Sequence, residues 1–226
     1  AWLYELLGAP DAVHSTPASF NSSLGVPLTL SALGPPHPNA IVEVGIDRPG
    51  QMELHAALVQ PTLGIFTTLG DAHGEHFASD HQKFEQKWKL FGSCRSLVIS
   101  RKHYDLAVQL KLPIPNEIML WGKGEVLDPE QIAPQSFKGE YHVANAMAAV
   151  GGALLLGASM EDIKKRLALL QPLEMRMQLR GGKDGGYLLE DTYSSDLNSL
   201  RWALEELASS APTEKKWAVL SHLGNK

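Results

Sequence analysis

The sequence predicts an α/β protein, with a mostly parallel sheet flanked by helices. Short apolar runs that read as buried strands alternate with longer helix-like stretches, the order expected when helices cross over between parallel strands. Two of these runs are Ala40-Ile41-Val42-Glu43-Val44-Gly45 and Leu63-Gly64-Ile65-Phe66-Thr67-Thr68-Leu69-Gly70-Asp71-Ala72-His73. Each gives way to Gly and polar residues where a strand should end. The hydrophobic content of 44% is enough to bury a core in a chain of 226 residues.

The elements follow in order. Residues 1–8 read as a helix already under way, with no initiator Met and no capping residue before it. Helices are predicted at 26–33, 51–59, 75–91, 103–110, 142–156, 160–170 and 197–207. Strands are predicted at 41–44, 64–67, 96–100, 117–120, 187–189 and 217–220. Residues 122–139, with Pro129 and Pro134, read as irregular. A boundary is predicted near 171–173. Beyond it, Gly181-Gly182-Lys183-Asp184-Gly185-Gly186 separates two strand-like runs, the pattern of a hairpin opening a second domain. The expected domains are 1–174 and 175–226, the second being only the start of a larger unit. The abrupt opening and the strand-like run close to the end make the chain read as a fragment of a longer protein.

Composition narrows the partners. A net charge of −5 gives no reason to expect nucleic acid or an anionic membrane surface. The single cysteine, Cys94, excludes an internal disulfide framework and a multi-cysteine metal centre. No apolar run has the length of a membrane span and no signal peptide is present, so a cytoplasmic location is the default expectation.

The two strand ends carry the chemistry. In open α/β sheets, ligands sit outside the carboxyl ends of the strands. Glu43 and His73, delivered there by neighbouring strands, would form a site for a cation and a phosphate. Taken singly, each reads better as an ordinary strand-end Glu or a loop His that ligates nothing; together, with the motifs that follow, they read as a site.

Further motifs join these two in a fixed order. They are Ser19-Phe20-Asn21-Ser22-Ser23-Leu24-Gly25-Val26-Pro27, Glu43-Val44-Gly45, the run to His73, His142-Val143-Ala144-Asn145-Ala146, and Glu190-Asp191-Thr192-Tyr193. In this order the chain resembles the Mur ligases, most closely the type that adds D-alanyl-D-alanine to UDP-N-acetylmuramoyl-tripeptide. Residues 19–27 and 191–200 look most like the subgroup in which that ligase is fused to an alanine racemase. The resemblance implies a truncated central ATPase domain followed by the start of a Rossmann-like C-terminal domain. It also implies ATP and Mg2+ as cofactors, with UDP-N-acetylmuramoyl-peptide and D-alanyl-D-alanine as substrates.

The resemblance implies roles residue by residue. Glu43 matches the metal-ligand Glu, and a carboxylate suits magnesium, which prefers oxygen. His73 matches the metal-site His, a less natural magnesium ligand. Lys87, in Gln86-Lys87-Trp88-Lys89-Leu90-Phe91, matches the lysine that becomes carbamylated. A solvated lysine beside Lys83 and Lys89 is the alternative reading. Asn21 and Ser22 match positions near the UDP-sugar-peptide, with loop capping as their alternative role. Asn145 matches the adenine-contacting Asn, Arg176 an Arg that reaches the nucleotide phosphates, and Asp191 the acidic residue on the ribose.

The chain also departs from the family. The phosphate loop GxxGK(S/T) does not occur in it, Thr68 stands where Asn is usual, and Ser194 and Asp196 replace amides of the ribose motif. The stretch 120–141 is shorter than the pattern. Two other readings therefore stand beside the first. One is another amide ligase of the superfamily, such as a folylpolyglutamate synthetase. The other is a non-catalytic binding module of the same fold. The ligase reading makes a geometric demand: Glu43, His73 and Lys87 should meet in one crevice at the carboxyl edge of a single parallel sheet. Asn145 and Arg176 should line its nucleotide side.

Overall fold

The computed structural model describes residues 1–8, 12–35, 37–70, 74–132, 140–171, 173, 175–183, 186–193, 197–210 and 215–220. Its centre is a three-stranded parallel sheet of β3 (Leu63–Ile65), β4 (Ser96–Ser100) and β5 (Glu117–Trp121), in that order. Every residue of β4 is buried, as its position between two neighbours requires, and an uninterrupted Leu97-Val98-Ile99 run supplies the apolar side chains. Ser100 ends the strand and starts α5 (Arg101–Gln109), its Oγ accepting from the His103 backbone N–H at 3.2 Å.

Helices cover both faces of this sheet. On one side, α1 (Trp2–Leu7), α7 (Glu140–Leu155) and α8 (Met160–Leu167) bury Trp2, Leu6, Met147, Val150 and Ile163 in one cluster. Gly151 allows α7 to lie close against the sheet: a Cβ there would stand 2.5 Å from Val98 Cγ1. On the other side, α4 (Asp80–Trp88) and α5 bury Phe84, Trp88 and Ala107 against Phe66, Leu97 and Ile99. Alternation along β4 sends Leu97 and Ile99 to one face and Val98 to the other. No described helix is long and apolar enough to cross a membrane.

Two further sheets complete the fold. β1 (Val13–Ser15) and β2 (Asn39–Ile41) form a parallel pair, with α2 (Gly25–Ser31) between them in the chain. β6 (Gln178–Gly181) and β7 (Tyr187–Glu190) form the expected antiparallel hairpin, followed by α9 (Leu197–Ser210). The remaining helices are α3 (Gln51–Val59), which has the predicted bounds, and the short α6 (Pro129–Ile132), in a stretch expected to be irregular.

Several expectations are corrected. The strand carrying Glu43 ends at Ile41 and pairs with Val13–Ser15, which the sequence did not mark, and not with the central sheet. The ladder stops because the side chain of Thr16 takes over: its Oγ1 accepts the Glu43 backbone N–H at 2.9 Å. The helix expected at 75–91 is interrupted. A 3₁₀ turn at Gly74–His76 precedes α4, which begins after Ser79, whose Oγ accepts from the Gln82 N–H at 3.1 Å. A second 3₁₀ turn follows at Lys89–Phe91. The strand expected at 217–220 is not formed. Those residues are exposed, and no described strand lies beside them to complete a ladder.

Candidate functional site

A cavity of about 760 Å³ lies among the β1–β2 pair, the carboxyl end of β3 and the start of α7. Glu43, Lys87, Asn145 and Arg176 all line it, together with Asn21. Four of the five residues expected to converge therefore line one cavity, but Glu43 follows the β1–β2 pair while Lys87 and Asn145 come from helices, so no single sheet edge gathers them. His73 lies outside the described residues.

Glu43 follows β2 and is held from two directions. The Thr16 hydroxyl fixes its backbone, and Asn21 Nδ2 donates to its Oε1 at 2.6 Å. Asn21 is itself pinned, since its carbonyl accepts the Gly45 N–H at 2.8 Å. The loop before α2 thus orients one carboxylate oxygen and leaves the other for a ligand. Ser22 does not line the cavity; its Oγ accepts from the Gly25 N–H at 3.3 Å at the start of α2.

Lys87 projects from the last turn of α4 into the same space. Burial, and then the neighbouring Lys83 charge, push its amine below the ordinary lysine range, while Glu43 partly opposes the shift. A less basic lysine amine is more often neutral, and the neutral amine is the form that reacts with carbon dioxide. Lys83, one helical turn earlier, is buried, and its ammonium donates to the Gly70 carbonyl.

The opposite wall comes from α7. Asn145 faces the cavity half-buried, and Tyr141 and His142 lie one turn before it. His142 is buried edge-on against Trp2, with ring centroids 5.9 Å apart. Burial pushes its imidazole below the usual range, against a smaller opposing effect of Glu206. Sequence reasoning used the motif containing His142 but assigned that residue and Tyr141 no place in the site; their position one turn from Asn145 on an Ala-rich helix was the available signal. Arg176 closes this side, its Nη1 donating to the Tyr141 hydroxyl at 2.9 Å. Asp191 stands apart from the cavity wall, with its Oδ1 accepting the Met177 N–H at 3.3 Å.

The donor set limits what metal could bind. Among the described residues, no three His, Cys, Asp or Glu side chains lie close enough to cage an ion. A single oriented carboxylate fits magnesium, which keeps several waters and takes ligand phosphates, and does not fit a zinc-type cage.

Comparison with known proteins agrees with this architecture. The family profile of the Mur ligase middle domain matches residues 1–114. The UDP-N-acetylmuramoyl-tripeptide–D-alanyl-D-alanine ligase of Synechocystis sp. is 29% identical over 222 residues, covering 92% of this chain and 48% of its own length. Among solved structures, MurF from Acinetobacter baumannii superposes with a TM-score of 0.76 at 26% identity, over 92% of this chain and 50% of that one. MurF ligase from Thermotoga maritima in complex with ADP has the same fold, with a TM-score of 0.72 at 20% identity, over 92% and 53% of the two chains. The chain spans about half the length of the curated relatives it matches. With the profile covering 114 of its 226 residues, and with neighbours of the same fold over nearly its whole length, the chain belongs to the Mur ligase family.

Proposed function

We propose that this chain is part of an ATP-dependent amide ligase that joins D-alanyl-D-alanine to UDP-N-acetylmuramoyl-tripeptide. Residues 1–174 serve as the central ATP-binding domain and residues 175–226 as the beginning of the C-terminal domain. The observation that carries the reading is the single cavity shared by Glu43, Lys87, Asn145 and Arg176. It gathers a carboxylate, a depressed amine, a base-reading amide and a guanidinium around a space large enough for a nucleotide and an acyl group.

In this reaction the γ-phosphoryl group of ATP passes to the substrate carboxylate, giving an acyl phosphate and ADP. The amine of D-alanyl-D-alanine then attacks the acyl carbon and expels phosphate, leaving an amide. Magnesium, when bound, neutralises charge that builds up on the phosphate oxygens. Glu43 would hold it through the oxygen that Asn21 leaves open, and His73 is the second residue proposed to hold it. Lys87, once carbamylated, changes from a cation to a second anionic ligand. Asn145 reads the adenine edge and Arg176 meets the phosphates; Asp191, which stands outside the cavity wall, is assigned the ribose hydroxyls on the family pattern alone. Asn21, which lines the cavity, serves the sugar-peptide end, and Ser22 beside it, outside the cavity lining, is assigned there on the family pattern alone.

The test is Glu43→Ala in the full-length protein that carries this chain. ADP formation dependent on magnesium and D-alanyl-D-alanine should fall at least about a hundredfold with the fold intact. Undiminished magnesium-dependent ADP formation would show that Glu43 has no such role. Wild-type turnover with a different amine in place of D-alanyl-D-alanine would reassign the substrate.

A further inference from the structure

The backbone around Arg176 is strained on both sides. Met175 and Met177 have φ of 58° and 48°, in the left-handed region that unbranched and branched side chains alike disfavour. Such conformations persist only where the surroundings over-determine them, and they cluster at ligand clamps. Here the surroundings are specific. The N–H groups of Thr192 and Tyr193 both donate to the Met175 carbonyl, at 3.1 and 3.2 Å, and Asp191 accepts the Met177 N–H.

The strained segment presents the Arg176 guanidinium between two tyrosines. It lies 4.0 Å from the ring centre of Tyr193 and donates to the Tyr141 hydroxyl. Tyr141 is 35 residues away in the chain, and its ring packs on Trp202 of α9 with centroids 5.5 Å apart. Both partners of the guanidinium are neutral, and among the described residues no carboxylate is paired with it. An arginine oriented by neutral groups keeps its whole charge for a ligand, whereas one in an ion pair must first give up its partner.

We propose that Tyr141 and Tyr193 are positioning residues that hold Arg176, with no described carboxylate paired to it, at the cavity wall for the phosphate chain of a nucleoside triphosphate. The proposal rests on the nucleotide reading of the cavity and adds a division of labour to it. Asn145, one turn from Tyr141 on α7, serves the base, while the tyrosine pair serves the phosphates through Arg176.

The experiment measures binding of ATP and of adenosine to the full-length protein by calorimetry. Tyr141→Phe removes one hydroxyl and keeps the ring on Trp202. It should weaken ATP about tenfold while leaving adenosine within about twofold of wild type. Tyr193→Leu should move ATP in the same direction by about threefold. The double variant Tyr141→Phe/Arg176→Ala should bind ATP no worse than Arg176→Ala alone, since the hydroxyl acts only through the guanidinium. Equal losses for ATP and adenosine, additive effects of the two changes, or wild-type affinity in Tyr141→Phe would each overturn the proposal. Wild-type protein that binds neither ligand would overturn the nucleotide reading itself, an outcome visible before any variant is made.

Discussion

The central sheet with its covering helices and the stretch 175–210 are built on different terms. In the first, β4 is buried along its length and Phe84, Leu97 and Ile99 are wholly removed from solvent. In the second, Leu179, Tyr187, Leu188, Leu197 and Leu204 are exposed, and the links to the rest include a hydroxyl–guanidinium bond and the packing of Tyr141 on Trp202. The first region is held by apolar area, and the second is placed by a few directional contacts beside the cavity. Substitutions in the first should therefore change stability, and those in the second should change ligand handling.

The largest effect expected from this contrast is at Phe84. Truncation to Ala opens a cavity among Phe66, Trp88 and the ring of His103, and should cost about 3–5 kcal/mol in denaturant unfolding. A loss below about 1 kcal/mol would mean that this face is not the close-packed core described.

An intermediate effect is expected at His103, which sharpens the comparison through pH. Burial against Phe66 and Phe84, with a smaller contribution from Lys102, pushes its imidazole down to about 4. In the unfolded chain the group titrates near ~6.5. Between these values the unfolded state binds more protons, so stability rises with pH across that window. The contribution is fully present above ~6.5 and is lost as pH falls to about 4. Relative to a His103→Leu variant, the wild type should lose at most about 3 kcal/mol over that range, read from unfolding curves at stepped pH. Parallel pH profiles for the two proteins would remove His103 as the cause.

The smallest effect is expected at Leu188, on the exposed side of the hairpin. Leu188→Ala should change unfolding free energy by no more than about 0.5 kcal/mol. A loss matching that of Phe84→Ala would break the distinction between the two regions.

What the sequence disclosed follows the same division. The strand at 96–100 and the helix at 51–59 were legible to the residue, the strand because a continuous apolar run between two serines leaves little choice. Val13–Ser15 was not, since three residues, two of them polar, become a strand only when Asn39–Ile41 lies alongside. Residues 217–220 have strand propensity, but among the described residues no strand lies beside them. In the site, the residue types at 43, 87, 145 and 176 could be matched to a family pattern. The contacts that make them a site, such as Asn21 to Glu43 across 22 residues or Arg176 to Tyr141 across 35, depend on how the chain folds back and have no local signature.

The bond from Asn21 to Glu43 also fixes how much charge this wall of the cavity can offer. Asn21 is neutral and donates to one of the two carboxylate oxygens, so among the described residues Glu43 offers a cation one negative charge, most openly through its other oxygen. Hard cations of this kind gather most of their ligands from water and phosphate when the protein supplies so few. On the proposed reading, metal should bind weakly to the empty cavity and more tightly once a phosphorylated ligand is present.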